Sequence, residues 1–168
     1  MEKLKGIDYK ILFALMKNSK ISDRQLARQI GVSQPTVTRR RARLEKEAID
    51  GYTAIPKWKT LGYEMLVITL VKTKHIYQSK ENYETTRSKG IGWLMKQPSV
   101  IFGGGIEGSG VNSFIMSVHK SYSDYSSFLV KLRIDWGELI EELQSCIVDL
   151  TSERRIKPLH LKYLADVE

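Results

Sequence analysis

Four arginines stand within five consecutive positions, Arg39, Arg40, Arg41 and Arg43, in the stretch TVTRRRARLEKEA (residues 36–48). A guanidinium group is a planar, permanent cation whose forked donors match phosphate oxygens and the O6/N7 edge of guanine. Such a stretch can therefore hold a polyanion or read one. On a helical wheel with Val37 at zero, Leu44 and Ala48 fall within about 20° of it and form a buried stripe. Arg39 and Arg43 then lie at about 200° and 240°, with Thr36 at about 260°, on the outward face. Arg40, at about 300°, sits on a flank within reach of a phosphate, and Arg41, at about 40°, borders the stripe. Arg41 is expected to lay its stem over the core and turn its charge outward, so leucine there should keep or raise stability.

The charge supports this emphasis. The chain carries 27 Lys+Arg against 19 Asp+Glu, a formal net of +8. Residues 1–60 hold 14 of those cations and 6 of the anions, while the rest balances at 13 and 13, so the whole excess belongs to the first third. A basic head on a neutral body suits a polyanionic partner.

Other chemistries find little support. His75, His119 and His160 are isolated and Cys146 is alone, which leaves no metal-ligand spacing and no disulfide framework. Glu138, Glu141 and Glu142 read as a solvated helical face. Nothing assembles a nucleophile, a base and an orienting group, so no catalytic residue, cofactor or metal is expected. Gly103, Gly105 and Gly108 spell G-x-G-x-x-G, but strand-like SFIMSVH follows where a dinucleotide site needs a helix. No apolar run approaches the ~20 residues of a membrane span, and the charged N-terminus lacks a signal-peptide core. A cytoplasmic protein without a membrane partner is expected.

Local signals define the elements that place the arginines. In IDYKILFALMK, Ile7, Ile11, Leu12 and Leu15 recur at helical spacing, with Asp8 at the positive end of the helix dipole. ISDRQLARQI opens with a Ser22/Gln25 capping box and an Ile21/Leu26 staple, and Gly31 ends it. Ser33 caps the third helix, Val32 and Val37 form a second staple, and Pro35 occupies the first turn. Two helices joined through Gly31-Val32-Ser33 make a helix-turn-helix. The outer face and start of its second helix offer Ser33, Gln34, Thr36 and Arg39 as base readers, with Arg40 and Arg43 on phosphates or base edges. Tyr52 to Ile55 reads as a short extended piece, and Lys57 and Lys59 either touch DNA backbone or are solvated.

Beyond Glu64 the period changes. MLVITLVKT reads as a buried strand, residues 80–97 as a helix, VIFGGGIEG and NSFIMSVHK as strands, DYSSFLVKLRIDWGELIEELQS as helical with a break near residues 135–137, and CIVDLTSERRI as a last strand. The expected fold is α+β: a winged-type helix-turn-helix (1–52), a short strand and hinge (53–64), and a ferredoxin-like βαββαβ sandwich (65–168).

LKGIDYKIL, ISDRQLARQIGVSQPTVTRRRARLEKEAIDGYTA and the βαββαβ order together resemble the Lrp/AsnC transcription regulators. The resemblance implies a homodimer paired through the C-terminal sheets and able to form tetramers or octamers. It also implies a small-molecule effector such as an amino acid, sensed at a subunit interface, and gives Gly104, Gly105 and Ser109 a claim to ligand contact. The chain departs from the family in two places. Arg41 stands where members carry an apolar residue, and Gly110-Val111-Asn112-Ser113 lacks the acids of their Gly-Asp-x-Asp-like motif. Two other readings remain: a nucleoid-type architectural DNA binder, and an enzyme like the siroheme decarboxylases, which share the two-domain order. The basic third helix and the scattered histidines speak against the enzyme.

Overall fold

The computed structural model describes residues 3–74, 79–108, 110–152, 157 and 161–166. Two compact units divide the chain, Met1–Ile55 with Ile156–Glu168, and Pro56–Arg155.

The first unit holds α1 (Gly6–Lys17), α2 (Asp23–Ile30) and α3 (Gln34–Glu47). Their start and stop signals act as written in the chain. Ser22 N–H donates to Gln25 Oε1 at 3.1 Å and Gln25 N–H donates back to Ser22 Oγ at 3.3 Å. Gly31 takes the left-handed conformation, φ 79°, that closes α2. Ile11, Leu15, Leu26, Val37 and Leu44 form the core, and Ile21 and Val32 pack against it from the two staple positions. Full burial of each larger aliphatic side chain contributes about 1.5–3 kcal/mol. Ala48, expected on the buried stripe, is instead the exposed C-cap of α3. Tyr52 to Ile55 pairs with no strand among the described residues, so the wing is present only as irregular chain. The tail was expected with the second domain. Its 3-10 turn Leu161–Asp166 lies beside α1 instead, with Ala165 buried.

The second unit runs β1 (Met65–Thr73), α4 (Lys80–Leu94), β2 (Val100–Gly105), β3 (Ser113–His119), α5 (Tyr122–Trp136) and β4 (Ile140–Asp149). The strands form one antiparallel sheet ordered β2-β3-β1-β4, the ferredoxin-like arrangement. Tyr125, Phe128 and Leu132 of α5 and Trp93 and Leu94 of α4 pack on Val67, Val71 and Ile115 of one sheet face. By strand alternation Leu66, Ile68, Leu70, Phe114 and Met116 point to the other face, and Phe102 joins them, 60% exposed.

One assignment is corrected. ELIEELQS, read as helical, supplies the first half of β4, which pairs with β1 from Met65↔Asp149 to Lys72↔Glu142. From Ile140 on, the ladder satisfies the backbone groups that face β1, and Leu143 packs on the core, which outweighs the helix propensity of Glu, Leu and Gln.

Candidate nucleic-acid interface

Helix α3 presents the expected residues at its start. Ser33 has extended dihedrals at the N-cap, but its Oγ pairs with Thr36 Oγ1 at 2.8 Å instead of capping the backbone. Ser33, Gln34 and Arg39 are exposed and Thr36 is half-buried, so the first turn of the helix is open and Arg39 stands open one turn further on. Arg39 has no ion-pair partner among the described residues.

Arg40 and Arg43 are placed otherwise than the wheel suggested. Both reach back to α1, where Arg40 Nη1 donates to Asp8 Oδ1 at 2.8 Å and Arg43 Nη2 donates to Asp8 Oδ2 at 2.7 Å. The Lys5 N–H also donates to Asp8 Oδ2, at 2.8 Å, and the carboxylate is fully buried. Burial pushes this carboxyl up. The Lys5 N–H and the two guanidinium groups outweigh burial and hold it below the usual carboxylate value. Asp8 therefore remains an anion at neutral pH. Its place at the dipole end was legible in the chain; its grip on α3 was not.

Arg41 and Thr38 face α2. Arg41 Nη1 donates to Ile21 O at 3.0 Å and Asp23 Oδ1 at 3.1 Å, its Nε donates to Glu45 Oε1 at 3.0 Å, and Nη2 lies 3.4 Å from Ser19 O. Thr38 Oγ1 donates to the other Asp23 oxygen at 2.7 Å, and Tyr52 Oη donates to Glu45 Oε1 at 2.8 Å. The expected outward turn of the Arg41 charge is replaced by a clasp that joins both helices to the chain after α3.

In the second unit Gly104 and Gly105 lie exposed on β2, opposite Phe114 and Ser113 of β3, and Ser109 lies outside the described residues. The G-x-G-x-x-G run leads into β3, so no helix N-terminus awaits a pyrophosphate. Asn112, in the stretch without acids, is engaged with β1: its Nδ2 donates to Thr73 Oγ1 at 2.7 Å and its Oδ1 accepts the Thr73 N–H at 3.3 Å. Among the described residues no three His, Cys, Asp or Glu side chains cluster to hold a metal. No described helix is long and apolar enough to cross a membrane.

One grouping was not foreseen. His119 Nε2 and Ser117 Oγ are 2.8 Å apart, and Nδ1 lies 3.5 Å from Asp124 Oδ2. These are the residue types of a hydrolase triad, but Ser117 and His119 are both fully buried and the ring packs against Tyr125 and Phe128. No surface leads to the hydroxyl, so the group serves the core. Burial pushes the imidazole pKa down, against the opposing pull of Asp124. The unfolded chain then takes up a proton at about pH 6.5 that the folded chain resists, so stability falls as pH drops below that value and is unaffected above it. Melting curves between pH 8 and 5 should show this slope, and His119→Gln should flatten it.

A basic helix-turn-helix joined to a ferredoxin-like domain defines a class of two-domain nucleic-acid-binding proteins. Residues 6–45 match the family model of the AsnC-type helix-turn-helix domain. The leucine-responsive regulatory protein of Rhizobium meliloti is 28% identical over 131 residues, 76% of this chain and 78% of that one. The transcriptional regulator Ptr1 of Methanocaldococcus jannaschii is 38% identical over 96 residues, 49% of this chain and 65% of that one. A Neisseria meningitidis transcriptional regulator, solved with L-methionine, superimposes with a TM-score of 0.76 at 19% identity, covering 96% of this chain and 99% of that one. Residues 6–45 thus match an AsnC-type helix-turn-helix domain, and the chain is similar to transcriptional regulators of the Lrp/AsnC type.

Proposed function

We propose that this regulator acts as a homodimer that sets two copies of α3 into successive major grooves of double-stranded DNA, about 34 Å apart. The observation that carries this reading is the open start of α3, with Ser33 and Gln34 exposed and Thr36 half-buried, followed by exposed Arg39, which has no ion-pair partner among the described residues. Ser33, Gln34, Thr36 and Arg39 contact base edges; Arg40 and Arg43 support them from the Asp8 side, at the border of the phosphate path. The setting is the cytoplasm. Footprinting at a few hundred millimolar salt tests the reading, since a regulator leaves a discrete protected site. Even coverage would favour an architectural DNA binder instead.

The open sheet face supports dimerisation through the second unit. It carries Leu66, Ile68, Leu70, Phe114 and Met116 with Phe102 exposed, a contiguous apolar surface of the kind soluble monomers rarely leave uncovered. Phe102→Glu should halve the mass in sedimentation equilibrium, because association would bury an unpaired carboxylate. An unchanged mass would place the interface elsewhere, and larger species would indicate tetramers or octamers.

A small-molecule effector near the β2–β3 hairpin completes the proposal, with Gly104, Gly105 and Ser109 as contacts. L-methionine in the Neisseria regulator supports an amino-acid class. Asn112, held by Thr73, makes a poor ammonium partner compared with a carboxylate, which points to a ligand with less demand for positive-charge recognition. A thermal-shift screen with amino acids and nucleotides tests it, since a ligand that binds the native state raises its apparent stability.

A further inference from the structure

We infer that Asp8 is a positioning residue that restrains the positive charge of α3, and so sets the balance between reading a DNA sequence and gripping any DNA. This rests on the reading of the first unit as a DNA-binding head. The carboxylate is fully buried and takes three donors, the Lys5 N–H, Arg40 Nη1 and Arg43 Nη2, all at 2.7–2.8 Å. A phosphate that draws Arg40 outward must leave a buried anion short of a partner, and that opposes the transfer. Arg39 carries no such restraint among the described residues. Asp8 thus divides the arginine run into a captive group and an available one. Contacts to phosphate carry no sequence information, whereas a guanidinium on a base edge does. Restraining the captive group holds down affinity for random DNA without touching the reader.

Asp8→Asn keeps the shape of the site but turns one acceptor oxygen into an NH2 donor, which confronts a guanidinium N–H and releases its side chain. The experiment measures binding to a random duplex as a function of salt. Released Arg40 adds one phosphate contact, so the slope of log K against log[salt] should steepen by about 0.9, and discrimination between cognate and random DNA should fall. The double variant Asp8→Asn/Arg40→Met should return the slope toward that of the starting protein. A purely structural role would lower the melting temperature and leave the slope alone, and that result overturns the inference.

Should Asp8→Asn not fold, the unmodified protein decides by NMR. On titration with a random duplex the Arg39 Nε–H signal should move while that of Arg40 stays; equal movement of both overturns the inference. Failure of the unmodified protein to bind any duplex in a salt-dependent way would instead overturn the DNA-binding reading itself.

Discussion

Replacing Arg39 with alanine is expected to cost about 1–3 kcal/mol of discrimination between a cognate duplex and random DNA, the worth of one bidentate guanine contact. Arg39 is exposed on α3 and has no ion-pair partner among the described residues, so its removal breaks no ion pair described in the fold. Folding stability should therefore stay within about 0.5 kcal/mol of its starting value, as for surface changes away from special features. The two measurements together make the prediction sharp. A competition titration should show affinity for the cognate site falling more than affinity for random DNA, while the urea midpoint holds. Parallel loss on both duplexes would reassign Arg39 to a phosphate.

The second large effect reverses an expectation from the sequence. Arg41→Leu is expected to destabilise the first unit by about 1–2 kcal/mol, because leucine cannot replace the donors that Arg41 gives to Ile21 O, Asp23 and Glu45. The estimate is kept low for two reasons. The ion pairs are partly open to water, with Asp23 23% and Glu45 41% exposed, and such pairs contribute about 0–1 kcal/mol each. Leucine also recovers some apolar burial beside Leu44, which offsets part of the loss. The larger share comes from the Ile21 carbonyl and the Asp23 carboxylate, left short of a donor at a half-buried site. Arg41→Lys should restore only part of the loss, since one ammonium cannot span the three directions of the fork. Urea titration of the three proteins checks the order; a leucine variant as stable as the starting protein would show that the clasp contributes nothing.

Both predictions turn on what the wheel could resolve. It gave the phase of α3 correctly: Val37 and Leu44 are fully buried and Arg39 is outward. It could not tell on which side of α3 its neighbours lie. α1 occupies the arc of Arg40 and Arg43, and α2 occupies the arc of Thr38 and Arg41. Asp8 looked like a local dipole partner because the chain shows only its own helix; its grip is on residues more than thirty positions away. His119 looked isolated for the same reason, since burial is a property of packing. In β4 the local signal itself misled, because helix-forming residues were overruled by the pairing that β1 offered.

The sequence by itself determined the helix-turn-helix and its excess charge, and the order of elements in the second unit. Those features rest on interactions within a few residues, such as the Ser22/Gln25 box, the turn at Gly31 and the alternation of β1, and the chain states them directly. Only the tertiary structure decided which arginines are held and which stands open. That choice belongs to Asp8, Asp23 and Glu45, and two of these three carboxylates lie on other helices.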